Sequence, residues 1–159
     1  VGAITLPIVT DVNNSKFLRE VEGALITHWN QSAWATENEV TFNIEWTHLP
    51  KDDAFARGRI GIESHLEHFP SDKAAMTTGG LTTYVHGQAL VLGPGRINPR
   101  TLAHELGHLL GFSDCYLRTL SASGSLGLEG TAVLEWDNPL YPDDLMCDNS
   151  VGAARAEVW

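Results

Sequence analysis

Residues 40–46, Val-Thr-Phe-Asn-Ile-Glu-Trp, alternate apolar and polar, and this period of two marks a half-buried strand. Residues 4–9, Ile-Thr-Leu-Pro-Ile-Val, predict an earlier strand, with Pro7 tolerated only where its missing N–H faces away from a partner. Between the two, Phe17, Leu18, Val21, Leu25 and Trp29 recur at helical spacing. They predict a helix over residues 15–30 with Asn13, Asn14 or Ser15 as its N-cap. A short strand is expected at residues 59–63, Arg-Ile-Gly-Ile-Glu. Residues 81–85 and 88–92 flank His86-Gly87 and are expected to pair as a hairpin, with a further strand beginning near Ala75.

The pattern changes at Gly93-Pro94-Gly95. Asn98 is a natural N-cap and Pro99 suits a first helical position, so a helix is expected from there to about Leu110. Gly111 then fits a left-handed C-cap. Residues 120–130 are rich in Ser and Gly and read as an irregular loop, and residues 136–146 carry turn chemistry in Asp-Asn-Pro and Tyr-Pro-Asp-Asp. A last helix, capped by Asn149 or Ser150, is expected to run towards Trp159.

At 159 residues the chain has the length of one domain with a sizeable core. Its 43% apolar and 19% charged composition excludes wholesale disorder. Ten Lys and Arg against twenty Asp and Glu leave a formal charge of −10. That charge argues against a nucleic-acid partner, which needs a basic footprint, and against an anionic membrane surface. The chain contains no apolar run long enough for a membrane span. Val1-Gly2-Ala3-Ile4 lack a basic n-region, so no secretory signal is expected within these residues. Two cysteines, Cys115 and Cys147, are too few for a disulfide scaffold; they leave one bridge, in an oxidising compartment, or two thiols.

The chemistry concentrates in His104-Glu105-Leu106-Gly107-His108-Leu109-Leu110-Gly111-Phe112-Ser113-Asp114. On a helix, His104 and His108 fall one turn apart on one face, so both imidazoles can reach a single metal. Glu105 sits one step round, beside the metal, where it can take a proton from a water. Gly111 allows a sharp turn that brings Asp114 to the metal from another side. Two neutral imidazoles and one carboxylate leave a fourth position open, the arrangement of catalytic zinc. The competing third ligands are Glu129 and Glu135, as in helix motifs completed by a later glutamate. Both follow a Ser/Gly-rich stretch that is a poor helix context, and Asn138-Pro139 soon breaks any run.

The string His104-Glu105-x-x-His108-x-x-Gly111-x-x-Asp114, followed by Leu145-Met146, resembles the metzincin clan of zinc metallopeptidases. Asp in third place resembles its snapalysin-like variant, and Asp114-Cys115-Tyr116 is similar to secreted bacterial peptidases with Asp-x-Tyr there. The resemblance rests on about fifteen residues, and extends over the rest of the chain only as an order of elements. It implies an α+β fold: a twisted mixed sheet, mostly parallel with an antiparallel edge strand, a backing helix, an active-site helix and a small loop-rich C-terminal subdomain. Within a single domain, residues 1–159, the upper subdomain would span about 1–111 and the lower about 112–159. A substrate cleft would lie between them, with Met146 in a turn beneath the metal. Where such enzymes use a tyrosine shortly after that methionine, Cys147-Asp148 stand here, which leaves Tyr116 and Tyr141 as candidates.

The function so implied is a secreted zinc endopeptidase, a monomer with one catalytic Zn2+. Glu105 would be its general base, His104, His108 and Asp114 the ligands, and an extended peptide the substrate, added as a strand to an edge somewhere in residues 75–84. A hydrolase of a non-peptide amide and a non-catalytic zinc-stabilised binding domain are the alternatives. Cys115 follows the third ligand and Cys147 the turn methionine, so a bridge is expected in a secreted protein, against free thiols or a zinc-ligating cysteine. His65 and His68 form a second histidine pair, for which a second metal site is the alternative; the sequence shows no further ligand beside them, and they read as an exposed polar segment. Asp52-Asp53 and Asp143-Asp144 suggest calcium but lack an oxygen-ligand pattern, and read as solvated acids. His28, His48 and His86 read as structural, and the five tryptophans as packing residues.

Overall fold

In the computed structural model the described residues are 2–115 and 144–147, with the backbone of 117–121 and 132–136. The first strand, β1 (Gly2–Thr10), pairs in parallel along its whole length with β2 (Val40–His48), from Gly2 opposite Val40 to Thr10 opposite His48. On its other side only Ile8, Val9 and Thr10 pair, with β3 (Ala74–Thr78). Pro7 is accommodated by this difference. The Gly2 amide donates towards β2, to the Glu39 carbonyl, and the Thr10 carbonyl accepts from Leu49, so even-numbered residues of β1 face β2. Pro7 faces the other way, one residue before the β3 pairing begins, and its missing N–H costs no ladder bond.

Two more strands follow, β4 (Tyr84–His86) and β5 (Ala89–Leu92). The five-stranded sheet has the order β2-β1-β3-β5-β4, parallel except for the antiparallel β4–β5 hairpin. The fold is α+β with a mixed sheet. The hairpin turn is Gly87-Gln88, one residue later than expected, because His86 pairs with Ala89 and φ of +60° falls on Gly87. The strand near Ala75 is β3, but it lies inside the sheet; the edge on that side is β4. Residues 74–77 of β3 and all of β5 are buried, as befits inner strands covered on both faces.

The first helix, α1 (Ser15–Leu25), is capped by Asn14, whose side chain accepts from the Phe17 amide, and buries Leu18, Val21, Ala24 and Leu25. The expected helix to residue 30 changes at Leu25 into a π-helical turn, Ile26–Asn30. Leu25 and Trp29 are buried either side of the change, so hydrophobic spacing alone does not reveal it. The Asn30 amide then mimics a strand residue, donating to the Phe42 carbonyl and accepting from the Phe42 amide at 3.0 and 2.6 Å. A short helix, α2 (Ala33–Glu37), is capped by Ser32.

The strand expected at residues 59–63 is absent. Two short helices occupy this region, α3 (Asp53–Ala56) and α4 (Ile62–Leu66), the second entered through Gly61. Ile62, His65 and Leu66 recur at helical spacing, a pattern that two β-branched residues in five do not outweigh. The last helix of this region, α5 (Pro99–Leu109), starts as expected at the Asn98 cap and packs on α1, β4 and β5.

Contact density divides the chain into one unit spanning Val1–Phe112 and another spanning Ser113–Trp159. In the second unit, β6 (Leu117–Ser121) and β7 (Ala132–Trp136) form an antiparallel pair, so the stretch expected to be irregular from residue 120 begins with strand. Residues 122–131 and the expected C-terminal helix lie outside the described residues. Cys115 and Cys147 are disulfide-bonded, with 4.4 Å between their Cα atoms. Among the described residues no helix is long and apolar enough to cross a membrane.

Candidate metal centre

Helix α5 is closed at both ends by its own sequence. The Asn98 side chain accepts from the Arg100 amide at 2.8 Å, and Pro99 occupies a position whose N–H would have had no partner. Leu102, Ala103 and Leu106 are fully buried. At the far end Gly111, with φ of +97°, turns the chain in the left-handed region. Its amide bonds the His108 carbonyl and the Phe112 amide the Gly107 carbonyl, the paired bonds of a Schellman motif.

This cap reaches the chemistry. The His108 Nδ1 lies 2.9 Å from the Phe112 carbonyl oxygen, which only accepts, so Nδ1 carries the proton and Nε2 keeps its lone pair. The Phe112 ring stacks on Trp29, with 4.7 Å between centroids, and the Trp29 indole donates to the Ala103 carbonyl at 2.8 Å. The carbonyl that orients His108 is thus held by a glycine turn on one side and by an aromatic stack on the other. Trp29 has the packing role that the sequence suggests, whereas nothing in the sequence analysis singled out Phe112; the Gly111 turn is the available signal, because a left-handed C-cap fixes the residue after it.

The rings of His104 and His108 stand nearly perpendicular, 4.9 Å apart. His104 is buried, His108 half-buried, and Glu105, between them in sequence, is 1% exposed. Asp114 is half-buried, and donor atoms of His104, His108 and Asp114 lie within 4.8 Å of one another. Two imidazoles and a carboxylate form a donor set that fits a borderline divalent metal ion. In the second unit, Met146 is buried in a turn where its amide donates to the Asp144 side chain, and its carbonyl accepts from the Cys115 amide at 3.0 Å. Of the rival ligands, Glu135 lies on strand β7 and Glu129 outside the described residues, as do Tyr116, Tyr141 and Asp143.

His65 is not exposed. It is 1% exposed on α4, while His68 stays in solvent. Asp52 supplies the neighbour that the sequence did not show: its Oδ2 lies 2.7 Å from His68 Nδ1, and donor atoms of Asp52, His65 and His68 also fall within 4.8 Å. Asp52 is no solvated acid either. Its carboxyl is held below the ordinary range first by the Phe55 amide that it caps, against an opposing effect of desolvation, and further by His68. Asp53 pairs with Arg57, and Asp144 caps the turn at Met146. A third donor group, Cys115, Asp144 and Cys147, contains the disulfide, so its sulfurs are already committed.

Burial, with a smaller contribution from Arg100, holds the pKa of His28 below its ordinary value. Of the tryptophans, Trp29 is buried, Trp34 lies over Phe42, and Trp46 donates to Glu22. No protein-family model, curated protein or solved structure matches this chain.

Proposed function

We propose that the chain is a zinc-dependent endopeptidase of the metzincin kind, with His104, His108 and Asp114 as ligands and Glu105 as general base. The observation that carries this reading is the donor set of two imidazoles and a carboxylate, with a buried glutamate one residue along the same helix. A metal bound there supplies Lewis acidity for the scissile carbonyl and makes a water acidic enough to lose a proton near neutral pH. The residues do the rest. His108 is kept in the ligating tautomer by the Phe112 carbonyl, and Glu105 takes the proton of the attacking water and passes it to the leaving amine. Burial of Glu105 keeps bulk water from competing for that proton.

Strand β4 is the sheet edge, and α5 packs against it. An extended peptide paired along Tyr84–His86 would therefore run beside the histidine-bearing helix. The edge expected within residues 75–84 is thus moved to Tyr84–His86, because β3 already has partners on both sides. The Met146 turn and the Cys115–Cys147 bridge support the metzincin reading, and the bridge supports the secreted placement that goes with it.

Incubation with a mixed peptide library, with and without a chelator, tests the function, with products mapped by mass spectrometry. Cleavage within peptide chains that the chelator stops and zinc restores is the expected result. An intact library in the presence of zinc rejects the reading.

A further inference from the structure

Helix α4 presents a buried histidine with one nitrogen committed and one not. His65 Nε2 lies 2.9 Å from Asp11 Oδ2 and 3.2 Å from Thr77 Oγ1. Both side chains of the His65–Asp11 pair are almost fully buried, at 2% and 5% exposure. The ring is stacked flat on Phe55, 4.0 Å between centroids, and met edge-on by Phe69 at 5.4 Å. His65 Nδ1 is buried and, among the described residues, has no hydrogen-bond partner. With Nε2–H donated to the Asp11 carboxylate, Nδ1 carries a lone pair. A buried polar atom left without a partner costs about 1–3 kcal/mol, so its position needs an explanation.

We infer that Asp52, His65 and His68 form a second metal site, for a borderline divalent ion such as Zn2+, with Asp11 as the positioning residue behind His65. The donor atoms already lie within 4.8 Å of one another. Donation of the far ring N–H of a ligating histidine to a carboxylate is the usual means of fixing its tautomer, and Asp11 stands where that partner is required. Two nitrogens and one oxygen select zinc and its neighbours over calcium or magnesium, which take oxygen shells. The edge of a tetrahedral zinc shell is roughly 3.3 Å, so donors that lie within 4.8 Å of one another need only adjust to that spacing. His68 is free to do so: it lies beyond the C-cap of α4, and its side chain is 56% exposed against 21% for Asp52. The ion would tie the α3–α4 segment to β1 through Asp11 and to β3 through Thr77.

Zinc per chain, measured by plasma mass spectrometry after dialysis against a weak competing chelator, tests this. Wild type should hold two ions. Combined His104→Ala and His108→Ala should leave one, and adding His68→Asn should remove it. In the otherwise intact chain, His68→Asn or Asp52→Asn should each reduce two ions to one; Asn at 52 retains a capping side chain, so folding is preserved. Asp11→Asn should weaken the second ion about 10–100-fold with all three donors in place. One ion in wild type that His68→Asn and Asp52→Asn leave untouched overturns the inference. One ion in wild type that His68→Asn removes, and the His104/His108 variant keeps, supports it and sinks the proposed peptidase instead.

Discussion

Helix α5 holds two histidines with a glutamate between them, whereas α4 holds only His65, with Glu67 and His68 following at its end, and the two outcomes differ. On α5 the histidines are four apart and both inside the helix, so the rings meet edge to face at 4.9 Å. On α4 they are three apart and the second lies past the C-cap, so the rings are 6.4 Å apart, one buried and one in solvent. The third donor is also held differently. Asp52 is fixed locally, by accepting from the Phe55 amide of the helix that it caps. Asp114 precedes Cys115, which the disulfide and a backbone bond tie to the turn at residues 144–147. Glu105 is buried and Glu67 exposed. Ligand-like spacing alone therefore does not separate the two groups; helix length and burial of the intervening glutamate do.

The sharpest way to break the comparison is at the glutamates. Glu105→Ala should lower peptide hydrolysis by about 10²–10⁴-fold while zinc stays bound, the range of a general base. Glu67→Ala should leave turnover unchanged. Parallel assays of turnover and zinc content decide it, and full activity in the Glu105 variant ends the proposed mechanism.

The two ways of holding the third donor can be tested next. Replacing both Cys115 and Cys147 by serine opens a loop with a sequence separation of 32. In the chain-entropy model this costs roughly 3–4 kcal/mol, readable in urea denaturation. Thiol titration of denatured, unreduced protein should find no free thiol. Asp114→Ala should weaken zinc at the α5 group by more than about 100-fold, beyond the cost of losing an outer partner. Glu129→Ala and Glu135→Ala should not change it. Retention of zinc by the Asp114 variant, with loss in either glutamate variant, would replace the ligand assignment.

A smaller effect is expected from the orienting carbonyl. Gly111→Ala places a side chain at φ of +97°, which disturbs the Schellman turn and the Phe112 carbonyl with it. Zinc affinity should fall about 10–100-fold, the range for an outer partner of a ligating histidine. Unchanged affinity in a competition titration would show that the carbonyl does not orient His108. The smallest effect concerns His28, which belongs to neither donor group. Its folded pKa lies below the ordinary 6.5, so the folded state binds this proton less readily than the unfolded chain. Its stabilising contribution is complete above that value and lost as pH falls below it. His28→Gln should flatten the pH dependence of stability in that window, and an unchanged slope contradicts the assignment.

Much of the α5 region was legible in the chain itself because its signals are local. Asn98, Pro99 and Gly111 set the ends of the helix by satisfying or removing backbone partners within a few residues, and two histidines four apart share a face on any α-helix. Strands β1 and β2 were legible for the same reason, through short-range alternation. The π-helical turn was not, because Leu25 and Trp29 are buried with or without it. The helix at residues 62–66 was misread as strand because five residues hold too little periodicity to decide. Only the tertiary structure decided that β4, and not β3, is the edge, since strand order depends on how distant segments pair. It alone decided that His65 is buried: Asp11 and Thr77 lie 54 and 12 residues away in sequence, and no local pattern encodes their meeting on one imidazole.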